Sequence, residues 1–165
     1  MDNFRADLHC HSTYSDGTLT PQELVELAIT KGLKGLSITD HDTVGAYPEL
    51  FTYGKERGIA IIPGIEFSAS HKDKPVHILG YSFSPTNSSI IKLCETHLVR
   101  RTQRNQAIID RLAAIGLPID ADEMTAFGAK GSIGRPHIAA AMVKKGYVGS
   151  VQEAFKKYLR EGGVG

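Results

Sequence analysis

The chain of 165 residues has no tryptophan, only two cysteines, and no long apolar run. Cys10 and Cys94 stand far apart, so there is no disulfide framework and no C-x-x-C pair to hold a structural zinc ion. Two unpaired thiols fit a reducing, cytoplasmic setting. No stretch approaches the roughly 20 apolar residues that a membrane-spanning helix needs. Asp2, Arg5 and Asp7 interrupt the start of the chain, which argues against a signal peptide. The aromatics, 7% of the residues, do not cluster into a platform on which RNA bases would stack.

Charge is plentiful and unevenly placed. Residues 1–85 carry 7 Lys/Arg against 11 Asp/Glu, whereas residues 86–165 carry 12 against 7, so a net of +1 conceals an acidic half and a basic half. A basic surface beside an acidic one suits an anionic substrate, although two ordinary solvated faces would look the same.

The acidic half alternates short apolar runs with helical patterns. Strands are expected at 5–9, 35–39 and 59–63, followed by a pair at 66–70 and 76–81 that could form a hairpin around His71–Pro75. Thr20-Pro21-Gln22-Glu23 is a capping box with proline in the first turn, opening a helix whose Leu24, Leu27 and Ala28 share one face and which stops at Gly32. A second helix falls between Thr43 and Arg57 and ends at Gly58, with Pro48 leaving its start open by a turn. Strands separated by such helices imply parallel βα units, whose function gathers at the carboxyl ends of the strands.

Pro85-Thr86-Asn87-Ser88-Ser89 is a polar break, taken as the boundary between units at 1–85 and 86–165. The second unit reads as all-helical. A long helix from Ile90 to Gly116 includes Leu93, His97, Arg101, Arg104, Ile108 and Leu112, and Pro118 closes it. A short helix follows at Asp120–Phe127, and another opens at Arg135-Pro136 and runs to Gly146. A last one, from the Ser150-x-x-Glu153 capping box, reaches about Arg160. Tyr147, Phe155 and Tyr158 are spaced like packing residues.

The chemistry concentrates in five separated segments. His9 and His11 are two apart on a strand, so both imidazoles share a face and Cys10 takes the other. Asp16 lies in a Ser-Asp-Gly turn, where bonding to its own backbone is the plain alternative to ligation. His41 follows a strand between Asp40 and Asp42. Asp40 is placed to orient an imidazole from outside the ligand shell, and Asp42 to cap the next helix. Glu66 ends an apolar stretch, where a buried carboxylate needs a partner or a metal ion, and His77 opens a strand. Each residue alone has a bland explanation; six in this order rarely do. Imidazole and carboxylate donors without thiolate suit Zn²⁺, Mn²⁺ or Fe²⁺, and a carboxylate such as Glu66 can bridge two ions.

In the basic half, Arg135 opens a helix whose free N–H groups and dipole favour a phosphate. Arg101, Arg104, Ser132, Arg135 and His137 are the candidate substrate-binding residues, with a solvated helix face and simple helix capping as the alternatives.

Asp7-x-His9-x-His11, Ser15-Asp16-Gly17, Thr39-Asp40-His41-Asp42, Gly64-Ile65-Glu66 and His77-Ile78-Leu79-Gly80-Tyr81, in this order, resemble the PHP (polymerase and histidinol phosphatase) superfamily. Gly134-Arg135-Pro136-His137 and Ser150–Phe155 narrow the resemblance to its nucleoside 3′,5′-bisphosphate phosphatase and 5′-3′ exoribonuclease branch. It implies an α/β fold, the N-terminal part of a distorted (β/α)₇ barrel with a small all-helical insertion domain, and a centre of up to three divalent ions. It also implies that His9, His11 and Glu66 share one ion, that Glu66 bridges to a second held by His77, and that Asp16 and His41 hold the third. The implied activity is metal-dependent phosphoester hydrolysis by a metal-bridging hydroxide, without a protein nucleophile, on a nucleotide or the 5′ end of a short RNA. A phosphatase of a small metabolite such as histidinol phosphate, or a non-catalytic metal-stabilised module, remains the alternative. The family pattern carries a further His, an Asp and a His beyond the position of Gly165. A chain without those later strands is expected to leave sheet edges open and to self-associate.

Overall fold

The computed structural model describes residues 4–72, 74–125 and 132–160. The expected end of the short helix at Phe127 and the terminal Gly162–Gly165 loop lie outside the described residues. The elements run β1 (Ala6–Cys10), α1 (Pro21–Thr30), β2 (Gly35–Ile38), α2 (Tyr47–Arg57), β3 (Ala60–Ile61), β4 (Gly64–His71), β5 (Lys74–Tyr81), α3 (Ser88–Ala114), α4 (Ala121–Thr125), α5 (Arg135–Lys144) and α6 (Val151–Ala154). The last helix continues as a π-helical stretch, Phe155–Leu159.

Strands β1, β2 and β3 form a parallel sheet in that order, joined by α1 and α2. The third strand is only two residues long, shorter than the apolar run 59–63 suggests, because Ile62 N–H makes one more bond to Leu36 before the chain turns at Pro63. Every residue of β2 is buried. Leu36 and Ile38 pack with Val25, Ala28, Tyr47, Leu50 and Ile59 to make the core of this region. The capping box at Thr20 is present, with the Thr20 side chain bound by Glu23 N–H and the Glu23 carboxylate by Thr20 N–H. The buried face of α1 is Pro21, Val25 and Ala28, whereas Leu27, expected inside, is exposed. The sheet contacts one narrow stripe, and position 27 is turned off it.

Pro48 sits in the first turn of α2, where its missing N–H costs nothing, and Gly58 ends the helix at φ +72°. Asp42 does not cap this helix. Its N-cap is Ala46, without a side-chain bond.

Strands β4 and β5 form the antiparallel hairpin, paired from Gly64 with Tyr81 to His71 with Lys74. A parallel bridge from His41 to Glu66 joins the hairpin to the loop after β2. The outer strand, β5, leaves Val76, Ile78, Leu79 and Tyr81 exposed.

Among the described residues the basic half is helical. Ile108, Ile109 and Leu112 of α3 pack with Ile119, Met124, Ile138, Ala139, Met142, Val148, Ala154 and Leu159. Tyr147, Phe155 and Tyr158 pack against this cluster as expected. The first half of α3 is another matter: Ile91, Leu93, Leu98 and Val99 are exposed, so Leu93 is not a core position. At Ser150 the capping pair is shifted: Ser150 accepts from Glu153 N–H, but the Glu153 carboxylate takes Gly149 N–H rather than that of Ser150. No helix among the described residues is long and apolar enough to cross a membrane.

One buried hydroxyl ties these layers together. Tyr47 Oη donates to the Ile38 carbonyl (2.6 Å) and accepts Gly64 N–H (2.7 Å), linking α2, β2 and β4. Tyr47→Phe keeps the ring and strands both partners, so a loss of about 1–3 kcal/mol is expected. Urea unfolding at constant m-value measures it, and an unchanged midpoint would refute the role.

Candidate metal centre

The cluster forms where the carboxyl ends of β1 and β2 meet the hairpin. Between Asp7 and Cys10 the β1–β2 register slips, because three steps on β1 match two on β2. Such an irregularity twists a strand and re-aims its side chains. His9 and His11 emerge on one side, while Cys10 turns inward and its thiol donates to the Ser37 carbonyl. Burial, then the charges of Asp7 and Asp40, pushes the Cys10 thiol up to about 12.

Glu66 occupies the middle. Its Oε2 lies 2.9 Å from His9 Nε2 and 3.0 Å from His11 Nε2, and its Oε1 lies 2.5 Å from His77 Nδ1. His41 Nδ1 is 3.9 Å from Oε2, too far for a hydrogen bond, and that buried nitrogen has no hydrogen-bond partner among the described residues. On its other side, His41 Nε2 is 3.7 Å from Asp16 Oδ2, and Asp16 Oδ1 is 3.4 Å from His11 Nδ1. The imidazoles of His11 and His41, and of His41 and His77, have ring centroids 4.7 Å apart. Three overlapping donor groups result: His9, His11 and Glu66; His11, Asp16 and His41; His41, Glu66 and His77. All six residues singled out by sequence therefore meet in one place.

Burial, opposed by the charge of Asp16 and reinforced by Arg101, pulls the His41 imidazole down to about 4. Burial pushes the Glu66 carboxyl up, but the His9 bond, the His41 charge and the His77 bond outweigh it and hold the group below its usual range. His41 is thus a neutral donor and Glu66 an anion at neutral pH, the forms in which both bind cations.

The turn that carries Asp16 is built by hydroxyls that the sequence reading missed. Ser12 N–H, Ser12 Oγ and Ser15 Oγ all donate to the Asp40 carboxylate, at 2.7, 2.5 and 2.6 Å. Asp40 therefore anchors the 12–16 turn instead of gripping an imidazole; it reaches His11 only through Ser15, whose Oγ is 3.3 Å from His11 Nδ1. Burial raises the Asp40 carboxyl, and these donors offset part of the rise. Gly17 closes the turn. A Cβ there would lie 2.0 Å from the His11 carbonyl oxygen, so no other residue fits without moving the His11 backbone. Two serines spaced Ser12-x-x-Ser15 directly after a ligand-bearing strand were the available signal.

A cleft of about 190 Å³ opens beside the cluster, lined by Asp16, His41, His77 and, on the facing wall, Arg104, Arg135 and Phe155. Arg101 and Ser132 also reach it. Arg104 is pulled down to about 10 by partial withdrawal from water and by the like charges of Arg101 and Arg135, and stays a cation at neutral pH. Arg135 spends one nitrogen on the Leu159 carbonyl (3.2 Å). Two of the expected substrate residues are otherwise engaged. Arg101 is buried against Asp42 and Ser68. His137 does not line the cleft; it is buried, and its Nδ1 accepts Gly134 N–H (3.0 Å). The α5 end is also poorer in donors than expected: Pro136 has no N–H, and His137 N–H binds the Gly134 carbonyl.

Parallel strands ending in clustered imidazoles and carboxylates define an α/β protein with a candidate metal cradle at the strand ends. The chain belongs to the PHP domain family, whose pattern it matches over residues 7–161. It is 38% identical over 156 residues to a 5′-3′ exoribonuclease of Haemophilus influenzae, covering 94% of this chain and 57% of that protein. It is 32% identical to a 3′,5′-nucleoside bisphosphate phosphatase of Chromobacterium violaceum, covering 96% and 56%. The crystal structure of a candidate metal-dependent phosphoesterase from Bifidobacterium adolescentis matches with a TM-score of 0.85 and 35% identity, over 93% of this chain and 54% of that one. The chain thus spans about half the length of the relatives it matches.

Acid should loosen the metal-free fold. His41 takes up its proton near 6.5 when unfolded but only near 4 when folded, so stability falls as the pH drops below about 6.5. Glu66 and Asp42, held low in the fold, add a loss of the same sign as they protonate; Asp40, held high, opposes it. The melting temperature in chelator is expected to decrease from about pH 7 to about pH 5. A flat or rising profile would contradict the burial of a neutral His41.

Proposed function

We propose that this chain supplies the metal cradle and one substrate wall of a metal-dependent phosphoesterase acting on nucleotide phosphate esters. The observation that carries this reading is the Glu66 carboxylate, ringed by four imidazoles from three separate segments, beside a cleft walled by Arg104 and Arg135. The donor set fits divalent cations on two counts. It is made of imidazole and carboxylate alone, and the buried His41 Nδ1 has no hydrogen-bond partner among the described residues. His9, His11 and Glu66 would hold one ion, Glu66, His77 and His41 a second, and Asp16, His41 and His11 would contribute to a third. Bound divalent ions at such a site supply an activated water and neutralise charge on a phosphoryl group.

The remaining work belongs to the side chains. Glu66, held ionised, draws the imidazoles to one place, while burial keeps His41 neutral toward a cation. Arg104 and Arg135 present fixed positive charge to the phosphate or ribose-phosphate end of a substrate. Phe155 gives the same wall an apolar surface that a base or sugar can cover. Nucleoside 3′,5′-bisphosphates and the 5′ ends of short RNAs carry the paired phosphates that such a cleft suits. The two apolar clusters, one among residues 25–59 and one among residues 108–159, support a division into a metal-bearing unit at 1–85 and a helical unit at 86–165. Free Cys10 and Cys94 suit a cytoplasmic location.

Purified protein should retain Mn²⁺ or Zn²⁺ and release phosphate from 3′-phosphoadenosine 5′-phosphate faster than from histidinol phosphate, with chelator abolishing both. Glu66→Ala should cut the rate on the order of 10³-fold. Failure to hold any cation would sink the reading, and preference for histidinol phosphate would move the substrate to the small-metabolite class. The exposed Val76, Ile78, Leu79 and Tyr81 of β5 favour self-association of the isolated chain. Light scattering should find a dimer or larger species, and a monodisperse monomer would dismiss that part.

A further inference from the structure

The cradle is supported by two different kinds of structure. His9, His11, Glu66 and His77 project from or beside paired strands, and Tyr81 Oη donates to the Leu8 carbonyl (2.7 Å) to tie β5 to β1. Asp16 and His41 instead sit on connecting loops, and both loops are fastened by the helical half.

The Asp16 turn is held from α5 and the segment before it. Ser132 N–H donates to the Tyr14 carbonyl at 2.7 Å. The His137 ring accepts Gly134 N–H with Nδ1 (3.0 Å), which fixes the backbone two residues after Ser132, and the ring lies close to the Ser15 backbone. The His41 loop is held from α3. Asp42 adopts φ +56°, a conformation uncommon outside glycine, and its side chain is almost wholly buried. Its carboxylate accepts from Arg101 Nε (2.6 Å), Ser68 N–H (2.8 Å) and Ser68 Oγ (2.8 Å), and His97 Nδ1 stands at 3.4 Å. Arg101 Nη2 then donates to Ser68 Oγ (2.7 Å). A guanidinium with two nitrogens committed to a buried carboxylate and its partner is poorly placed to leave them for a substrate phosphate.

From this we infer that Arg101 and His137 are positioning residues. They set the Asp16–His41 part of the cradle from the helical half and do not act as substrate ligands. The inference rests on the metal-binding reading of that cradle. It makes cation occupancy at Asp16–His41 and docking of the helices linked quantities, each strengthening the other.

Mn²⁺ binding to the full chain, followed by calorimetry and by the resonance signal of the free ion, tests this. The binding phase lost in both Asp16→Ala and His41→Ala is the one that belongs to this part of the cradle. Arg101→Met is expected to weaken that phase by about 10–100-fold, as loss of a ligand-orienting partner does, and to leave the remaining phase unchanged. In the His41→Ala background Arg101→Met should have no further effect on Mn²⁺ binding. Arg101→Lys should restore part of the loss, and His137→Gln should weaken the same phase. With 3′-phosphoadenosine 5′-phosphate, kcat of Arg101→Met should fall at limiting Mn²⁺ and recover with excess Mn²⁺, with KM little changed.

Unaltered Mn²⁺ binding together with a raised KM would overturn the inference and return Arg101 to the substrate, leaving the phosphoesterase reading intact. Wild-type protein that binds no Mn²⁺ would remove both. If Arg101→Met does not fold by circular dichroism, Arg101→Lys carries the decision: it keeps the cation but loses the two-pronged grip, so unchanged Mn²⁺ binding in that variant refutes the proposal.

Discussion

A single buried carboxylate organises this molecule's chemistry. Glu66 takes close contacts from His9, His11 and His77 and faces His41, so four imidazoles from distant segments converge on two oxygen atoms. A carboxylate so withdrawn from water needs compensation. Here neighbouring imidazoles provide it in the absence of a cation, and they are the same groups that would surround one. The parallel bridge between His41 and Glu66, with the Tyr81–Leu8 and Tyr47–Gly64 bonds, brings the hairpin to the end of the parallel sheet, where the donors meet.

Around that carboxylate the chain uses buried acids as fasteners. Asp40 gathers Ser12 and Ser15 into the turn that presents Asp16. Asp42 gathers Ser68 and Arg101 and thereby joins the loop after β2, the hairpin and α3. In the Thr39–Asp42 segment the imidazole faces the cleft while the acids on either side face inward and hold backbone. The cleft wall beyond is cationic, so the acidic half gathers imidazole and carboxylate donors and the basic half sets Arg101, Arg104 and Arg135 beside them.

Much of the fold was legible in the sequence because its signals are local. The capping box at Thr20, the proline in the first turn of α2, the glycine after it and the polar break before α3 each act over three or four residues. Readings that depended on which neighbour a residue meets fared less well. Leu27 and Leu93 have the right spacing for a core but are exposed, because no element among the described residues covers them. The slip in β1 and the π-helical turn after Ala154 leave no mark that periodicity detects. At the site, ligand-type residues could be named because their chemistry is written in their side chains, whereas partners could not. Asp40 and Asp42 stood beside His41 and were read as its helper and a helix cap, but their bonds run to residues 25 to 59 positions away.

The order of residues alone therefore determined the alternation of strand and helix, the six donors and the acidic-to-basic switch along the chain, since these follow from side-chain identity and short-range spacing. Only the tertiary structure decided that Glu66 sits at the centre, that Arg101 pairs with Asp42 and His137 with Gly134 while Arg101, Arg104 and Arg135 all reach the cleft, and that the helical half bonds the loops carrying Asp16 and His41. Those outcomes depend on which distant backbone donor or acceptor a buried polar group finds when water is excluded, and no local pattern encodes that pairing.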